Sequence, residues 1–271
     1  MFAVANIIAT ALVTALVTLP ARAQNVAVDR CLALASNSKQ NARIQPVALK
    51  PHQVRITYNG HSTFTIESPK GVTVTTDYND IVGPSFTPVI VTMNVAHSTY
   101  YTTRPSKGIK HVLRGWNPKG PSAAIHDLTE KDLRVRSVPT NIRKTDSGLQ
   151  SLQFGNSVFI FEVGDLCVAH LGHLHHTLTT QQLAQVGQMD VVFVPIDDLY
   201  TLDTVGVFKV LRRLKPRIVV PMHYFSSAAL SRFLDLGRAD YEIVRQQSSS
   251  MVISREQLPA RPKVVVQFPG G

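Results

Sequence analysis

The chain has 271 residues, two cysteines and a formal net charge of +10. Two cysteines exclude a disulfide-built scaffold, and 44% hydrophobic residues over this length suffice for a real core. A pI near 9.8 favours anionic partners. However, basic residues such as Lys107, Lys110, Arg114, Arg134 and Arg213 are scattered without interleaved aromatics, so no nucleic-acid partner is expected.

Phe2 to Leu19 is almost wholly apolar and uncharged, and Ala21-Arg22-Ala23 follows. This predicts a signal peptide over residues 1–23 and a periplasmic or secreted protein. The run is short for a span of about 20 residues, so no stable membrane span is expected after cleavage. Residues 24–53 are weakly patterned and read as a leader. Residues 54–271 read as one domain, of undetermined oligomeric state. Cys31 and Cys167 are left open between one bridge and two free thiols.

Strands then arrive in quick succession. Val54–Tyr58 alternates, Asn59-Gly60 turns, Thr63–Glu67 alternates again, and Val72–Thr76 follows, closed by Asp77. Pro88–Thr92 is a continuous apolar run, as expected of a strand buried on both faces. Shorter strands are expected at His111–Leu113, Ala123–Ile125 and Leu133–Val138, with a pair at Val158–Phe161 and Leu166–Leu171. Beyond that point the texture changes to alternation of strand and helix. Helices are expected over Thr179–Val186, Asp203–Leu214 and Ser226–Leu236, strands at Val191–Val194 and Arg217–Val220, and a last strand at Val264–Phe268. Strands first and helices later suggest a two-sheet sandwich with helices outside.

Histidines collect at strand ends. The segment Asp165–Thr177 carries His170, His173, His175 and His176 around Gly172. His223 follows the strand Arg217–Val220, and His97 lies just past Pro88–Val91. Imidazole is the commonest protein ligand for zinc and a frequent acid or base, so convergent strand-end histidines point to a metal site.

Several motifs together carry a family resemblance: Gly60-His61-Ser62, a strand ending in Asp77, a buried strand running into a His-bearing loop, His170-Leu171-Gly172-His173, the loop to Asp197-Asp198, and Pro221-Met222-His223-Tyr224. Over Val54–Phe225 the chain resembles the metallo-β-lactamase superfamily, in particular the branch resembling ascorbate-6-phosphate lactonase. The resemblance implies an α+β fold, an αββα four-layer sandwich, with one or two metals at the rim. It also implies hydrolysis of an ester, lactone, amide or phosphodiester by metal-activated water. The chain departs from the family's His-x-His-x-Asp-His loop: Met93 and Val95 stand at the first two histidines, His97 at the aspartate and Ser98 at the last histidine. His173 stands at the bridging aspartate, and His223 alone matches.

Three neutral imidazoles would make a mononuclear site, with zinc expected and manganese or iron as alternatives. The expected ligands are His97, His173 and His223, with His176 in reserve and His170 buried in its strand. Asp198 is the expected general base and His61 a catalytic neighbour. Asp77 and Asp197 are expected to support the ligands, and Tyr100, Tyr101 and Tyr200 are candidates for the cleft wall. A site without carboxylates stays positive and suits a small, anionic substrate. The reading is therefore an exported metal-dependent hydrolase. The alternative is a catalytically inactive member of the fold acting as a ligand- or metal-binding module.

Overall fold

The computed structural model describes residues 49–143 and 151–269. The expected signal peptide, most of the leader and Cys31 lie outside them.

The first strands are β1 (Val54–Gly60), β2 (Thr63–Glu67), β3 (Thr73–Thr75), β4 (Ile90–Met93) and β5 (His111–Arg114). Next come β6 (Asp127–Glu130), β7 (Leu133–Ile142), β8 (Leu152–Val163) and β9 (Leu166–His170). Helices then alternate with strands: α1 (Thr180–Val186), β10 (Val191–Pro195), α2 (Thr204–Leu214), β11 (Ile218–Met222) and α3 (Ser227–Gly237). The chain continues with β12 (Glu242–Arg245), β13 (Ser250–Ile253) and β14 (Lys263–Val266).

The strands form a six-stranded sheet in the order β13-β1-β2-β3-β4-β5 and an eight-stranded sheet in the order β12-β14-β11-β10-β9-β8-β7-β6. The alternating residues of β1 explain its burial, with Val54, Ile56 and Tyr58 turned inward. In contrast, β9, β10 and β11 are buried at every position, as their continuous apolar runs require of central parallel strands. Between the sheets, Ile56, Phe64 and Ile66 meet Phe161, Phe193 and Val220. The rings of Phe64 and Phe193 stack there with centroids 4.2 Å apart.

The opposite face of the eight-stranded sheet takes the helices, through Val207, Phe208, Leu211, Phe233 and Leu234. Their ends are capped by side chains: Thr179 in a reciprocal capping box, Asp203 onto Gly206 N and Ser226 onto Ala229 N. This is the expected α+β sandwich. Among the described residues all three α-helices belong to this one layer. The outer face of the six-stranded sheet is covered instead by Tyr78, Tyr101 and Trp116, packed around Val91 and Met93.

Two local expectations are corrected. Ala123–Ile125 is not a strand: Ile125 is 75% exposed, and the edge strand β6 begins two residues later, pairing with β7 alone. β7 and β8 run well past their apolar cores, because a long antiparallel ladder from Leu133↔Val163 to Ile142↔Leu152 satisfies backbone groups whatever the side chains. Cys167 is buried in β9 and disulfide-bonded.

Candidate metal centre

The parallel register of β9, β10 and β11 aligns their C-terminal ends, with Phe193 beside His170 and Pro195 beside Met222. The loops leaving those ends therefore open at one rim. They deliver His173 and His175, then Asp197, then His223. The six-stranded sheet contributes His97 from the loop after β4 and His61 from the turn between β1 and β2. The backbone N–H of His223 donates to the carbonyl of His61 at 3.0 Å, tying the two rims together.

His97, His173 and His223 converge, each offering one ring nitrogen, with those atoms all within 4.8 Å of one another. On two of the three rings the second nitrogen is already engaged. His97 Nδ1 lies 2.8 Å from Thr99 Oγ1, and His173 Nδ1 lies 2.7 Å from His175 Nε2. His223 Nδ1 lies 3.0 Å from Asp197 Oδ2, close enough for a charge contact but off the line of a hydrogen bond. Nε2 of His173 and both ring nitrogens of His223 are buried without a hydrogen-bond partner among the described residues. Orphaned buried nitrogens are costly. Here the converging ones face one point, and an ion at that point would satisfy them. The donor set suits a divalent ion that accepts imidazole, and the engaged nitrogens fix the rings of His97 and His173.

Burial favours the neutral form of His97, His173 and His175, as ligation requires of an imidazole. Burial and then the His223 ring pull His97 down to about 4. Burial, followed by His223 and His175, pulls His173 well below the ordinary value. Burial, then Arg143, takes His175 to about 4. Burial pushes the Asp197 carboxyl up, but His223 and Thr201 more than offset it and leave it lowered.

The remaining predicted residues are placed as follows. His61 sits at the edge, its ring 4.6 Å from that of His223 and 6.2 Å from that of His97. Its Nδ1 lies 3.1 Å from Ser62 Oγ, its Nε2 has no partner among the described residues, and burial with His223 and His97 lowers it to about 3. His176 does not join the cluster. Its Nε2 accepts from Asn141 N at 3.1 Å, because the loop turns the side chain at 175 inward and the next one out. Asp198 is held away by its own bonds: Oδ1 accepts from Thr204 N at 2.6 Å, and Oδ2 lies 3.6 Å from Arg232 Nε. Its neighbour Asp197 faces the site. Asp77 is fully buried beneath it, accepting from Asn94 Nδ2 at 3.1 Å. His170 is buried in β9, its Nε2 2.9 Å from the Ser62 carbonyl. Tyr100 is fully buried, its ring 4.9 Å from the rings of both His97 and His173. Tyr101 instead packs on Trp116.

Sequence reasoning left His175 and Thr99 without a role, and missed the Asn94–Asn156 pair. Asn156 Oδ1 accepts from His173 N at 2.8 Å, and Asn94 Oδ1 accepts from Ser157 N at 2.8 Å. The spacing of His175 from His173 was the one available signal. Backbone strain gathers here too, with φ of 55° at His61, 42° at Asp77, 66° at Asp198 and 51° at His223.

Three results are expected from this geometry. Gly172 has φ +57°, and an added Cβ would meet Asn156 Oδ1 and Asn94 Nδ2, both at 2.4 Å. Gly172→Ala should cost about 1–3 kcal/mol for the backbone alone and displace His173, read as a lower urea midpoint together with weaker zinc uptake. His175→Ala and Asp197→Asn should each weaken metal binding roughly 10–100-fold in competition with a chromophoric chelator; unchanged affinity in both would remove them from the site. Finally, His170 is lowered to about 4, chiefly by burial. In the unfolded chain it titrates near 6.5, so the unfolded state binds more protons between those values. The metal-free protein should therefore hold full stability above pH 6.5 and lose roughly 3 kcal/mol through this group as pH falls to about 4. Equilibrium unfolding at graded pH checks this, and a flat profile there contradicts it.

Residues 55–223 match the model of the beta-lactamase superfamily domain, and the chain belongs to that superfamily. A UPF0173 metal-dependent hydrolase of Carboxydothermus hydrogenoformans is 32% identical over 85 residues, covering 30% of this chain and 38% of its own length. That match spans well under two thirds of the relative. A UPF0173 metal-dependent hydrolase of Thermoplasma acidophilum is 24% identical across 74% of this chain and 75% of its own. Among solved structures, a proposed Zn-dependent hydrolase of the metallo-beta-lactamase superfamily from Thermotoga maritima is similar at TM-score 0.58 and 26% identity, covering 79% of this chain and 98% of that one.

Proposed function

We propose that this protein is a metal-dependent hydrolase of small esters, lactones or phosphodiesters, with a single ion held by His97, His173 and His223. The observation that carries the proposal is the set of convergent ring nitrogens, with His97 and His173 held by hydrogen bonds on their other nitrogen and Asp197 beside His223. Met93 and Val95 pack into apolar clusters, so the two positions most altered from the family's loop offer no donor to a second ion. A bound divalent ion lowers the pKa of water towards about 7 and so supplies a nucleophile near neutral pH.

The protein's own residues orient and polarise. Asp197 places negative charge against His223. His175 and Thr99 fix the rings of His173 and His97. His61 stays neutral, and with Ser62 at Nδ1 its Nε2–H is the donor for charge developing on a substrate oxygen. Asp198 shapes the loop and does not move the proton, since Thr204 N and Arg232 hold it. Zinc is the ion best matched to three imidazoles.

Elemental analysis of protein prepared without tag or chelator tests the reading. About one equivalent of zinc, with turnover of a lactone, ester or phosphodiester panel that chelator abolishes, supports it. Metal uptake without any turnover would favour a binding module instead. Export belongs to the same proposal, on the apolar segment Phe2–Leu19, the Ala21-Arg22-Ala23 site and the disulfide-bonded Cys167. An N-terminus at Gln24 in protein recovered from the periplasm or medium would bear it out.

A further inference from the structure

A cavity of about 730 Å³ opens beside the metal centre, with His97 and Asp197 in its lining. Its wall is apolar and aromatic: Leu199, Tyr200 and Phe225 line it, and Leu199 and Phe225 are each 63% exposed. Large apolar side chains left this exposed beside a polar centre mark a ligand surface. The one cationic side chain lining the cavity is Arg232 on α3. Its only ion pair among the described residues is the long contact to Asp198, 3.6 Å from Nε to Oδ2, and its side chain is 54% exposed. The other cavity carboxylate, Asp197, takes four hydrogen bonds on Oδ1, from Leu199 N, Tyr200 N, Thr201 N and Thr201 Oγ1, and turns Oδ2 to His223. A guanidinium with unused donors in an apolar-walled cavity suits a carboxylate or phosphate.

Resting on the hydrolase reading above, we infer that this cavity is the substrate's acyl- or leaving-group subsite. It takes an aryl or short alkyl arm on Leu199, Tyr200 and Phe225, with an anion at the arm's end on Arg232. The arm keeps the scissile group beside the histidines. Neutral imidazole ligands leave the ion's charge largely uncancelled, so an anionic substrate is favoured by both the ion and Arg232.

The test uses the zinc-loaded full chain with matched probes: phenyl acetate, 4-carboxyphenyl acetate and 4-(trimethylammonio)phenyl acetate for turnover, and terephthalate for binding by calorimetry. The expected order of kcat/KM is carboxylate over neutral over cationic, with the carboxylate preferred about tenfold. Arg232→Ala should abolish the preference through KM, and Arg232→Glu should reverse it. Phe225→Ala should raise KM for all three esters. Terephthalate should bind the native protein and not Arg232→Ala. Turnover with no charge preference, or a preference that survives Arg232→Ala, overturns the subsite. Arg232-dependent binding of terephthalate without turnover of any ester keeps the subsite and sinks the hydrolase reading instead. Should turnover and terephthalate binding both be missing in a protein that holds zinc, the subsite is overturned together with the hydrolase reading.

Discussion

Single replacement of His97, His173 or His223 by alanine is expected to lower zinc affinity by more than about 100-fold, beyond the 10–100-fold cost of losing a supporting partner. Each ring supplies one of three converging donors, and two donors leave the ion with half a tetrahedral shell. His173 and His223 are fully buried, so their variants also open a small void, whereas His97 is half-buried and its variant should fold as the parent does. His97→Ala is therefore the cleanest of the three, read by equilibrium dialysis against zinc with circular dichroism as the folding control. His176→Ala is the matched contrast: its ring serves Asn141 N at the surface, and zinc affinity should not change. Retained zinc in His97→Ala, or loss in His176→Ala, would refute the ligand set.

The second large effect is on stability. Phe193→Ala should cost about 3–5 kcal/mol. Phe193 is fully buried at the centre of the inter-sheet core, and its ring lies nearly flat on that of Phe64, with 4° between the planes. Truncation would leave a cavity that neither sheet can close, because β10 is held by β9 on one side and β11 on the other. For a chain of this size the melting temperature should fall by roughly 10 °C. Urea unfolding of Phe193→Ala beside Phe193→Leu measures it. A cost below about 1 kcal/mol would mean that the sheets relax together far more readily than close-packed interiors do.

The sequence announced β9, β10 and β11 clearly, because strands buried on both faces have no choice but continuous apolar residues. It also placed His97, His173 and His223 at strand ends, where a shared rim brings them together. What it could not resolve lay between adjacent residues. His175 against His176, and Asp197 against Asp198, are of identical type and differ only in which way a short loop turns. That turn is set by Gly172 lodged against two asparagines, and by Asp197 accepting three backbone N–H groups in a row. Such contacts have no period and leave no trace in composition. The covering of the six-stranded sheet's outer face was equally hidden, since Tyr78, Tyr101 and Trp116 form it without any repeat.

The backbone bond from His223 to His61 joins loops from opposite ends of the chain, and the three converging histidines likewise come from both sheets. No single loop holds more than one of the three, and His97 comes from the other sheet, so the ion meets its full ligand set only once the sheets have come together. There it acts as a latch on the assembled state. Such a latch shifts the folding equilibrium by mass action, about 2.7 kcal/mol at a free concentration of 100 times Kd. Zinc should accordingly slow unfolding and leave the refolding rate untouched, so the lifetime of the folded protein would follow the metal supply of its compartment.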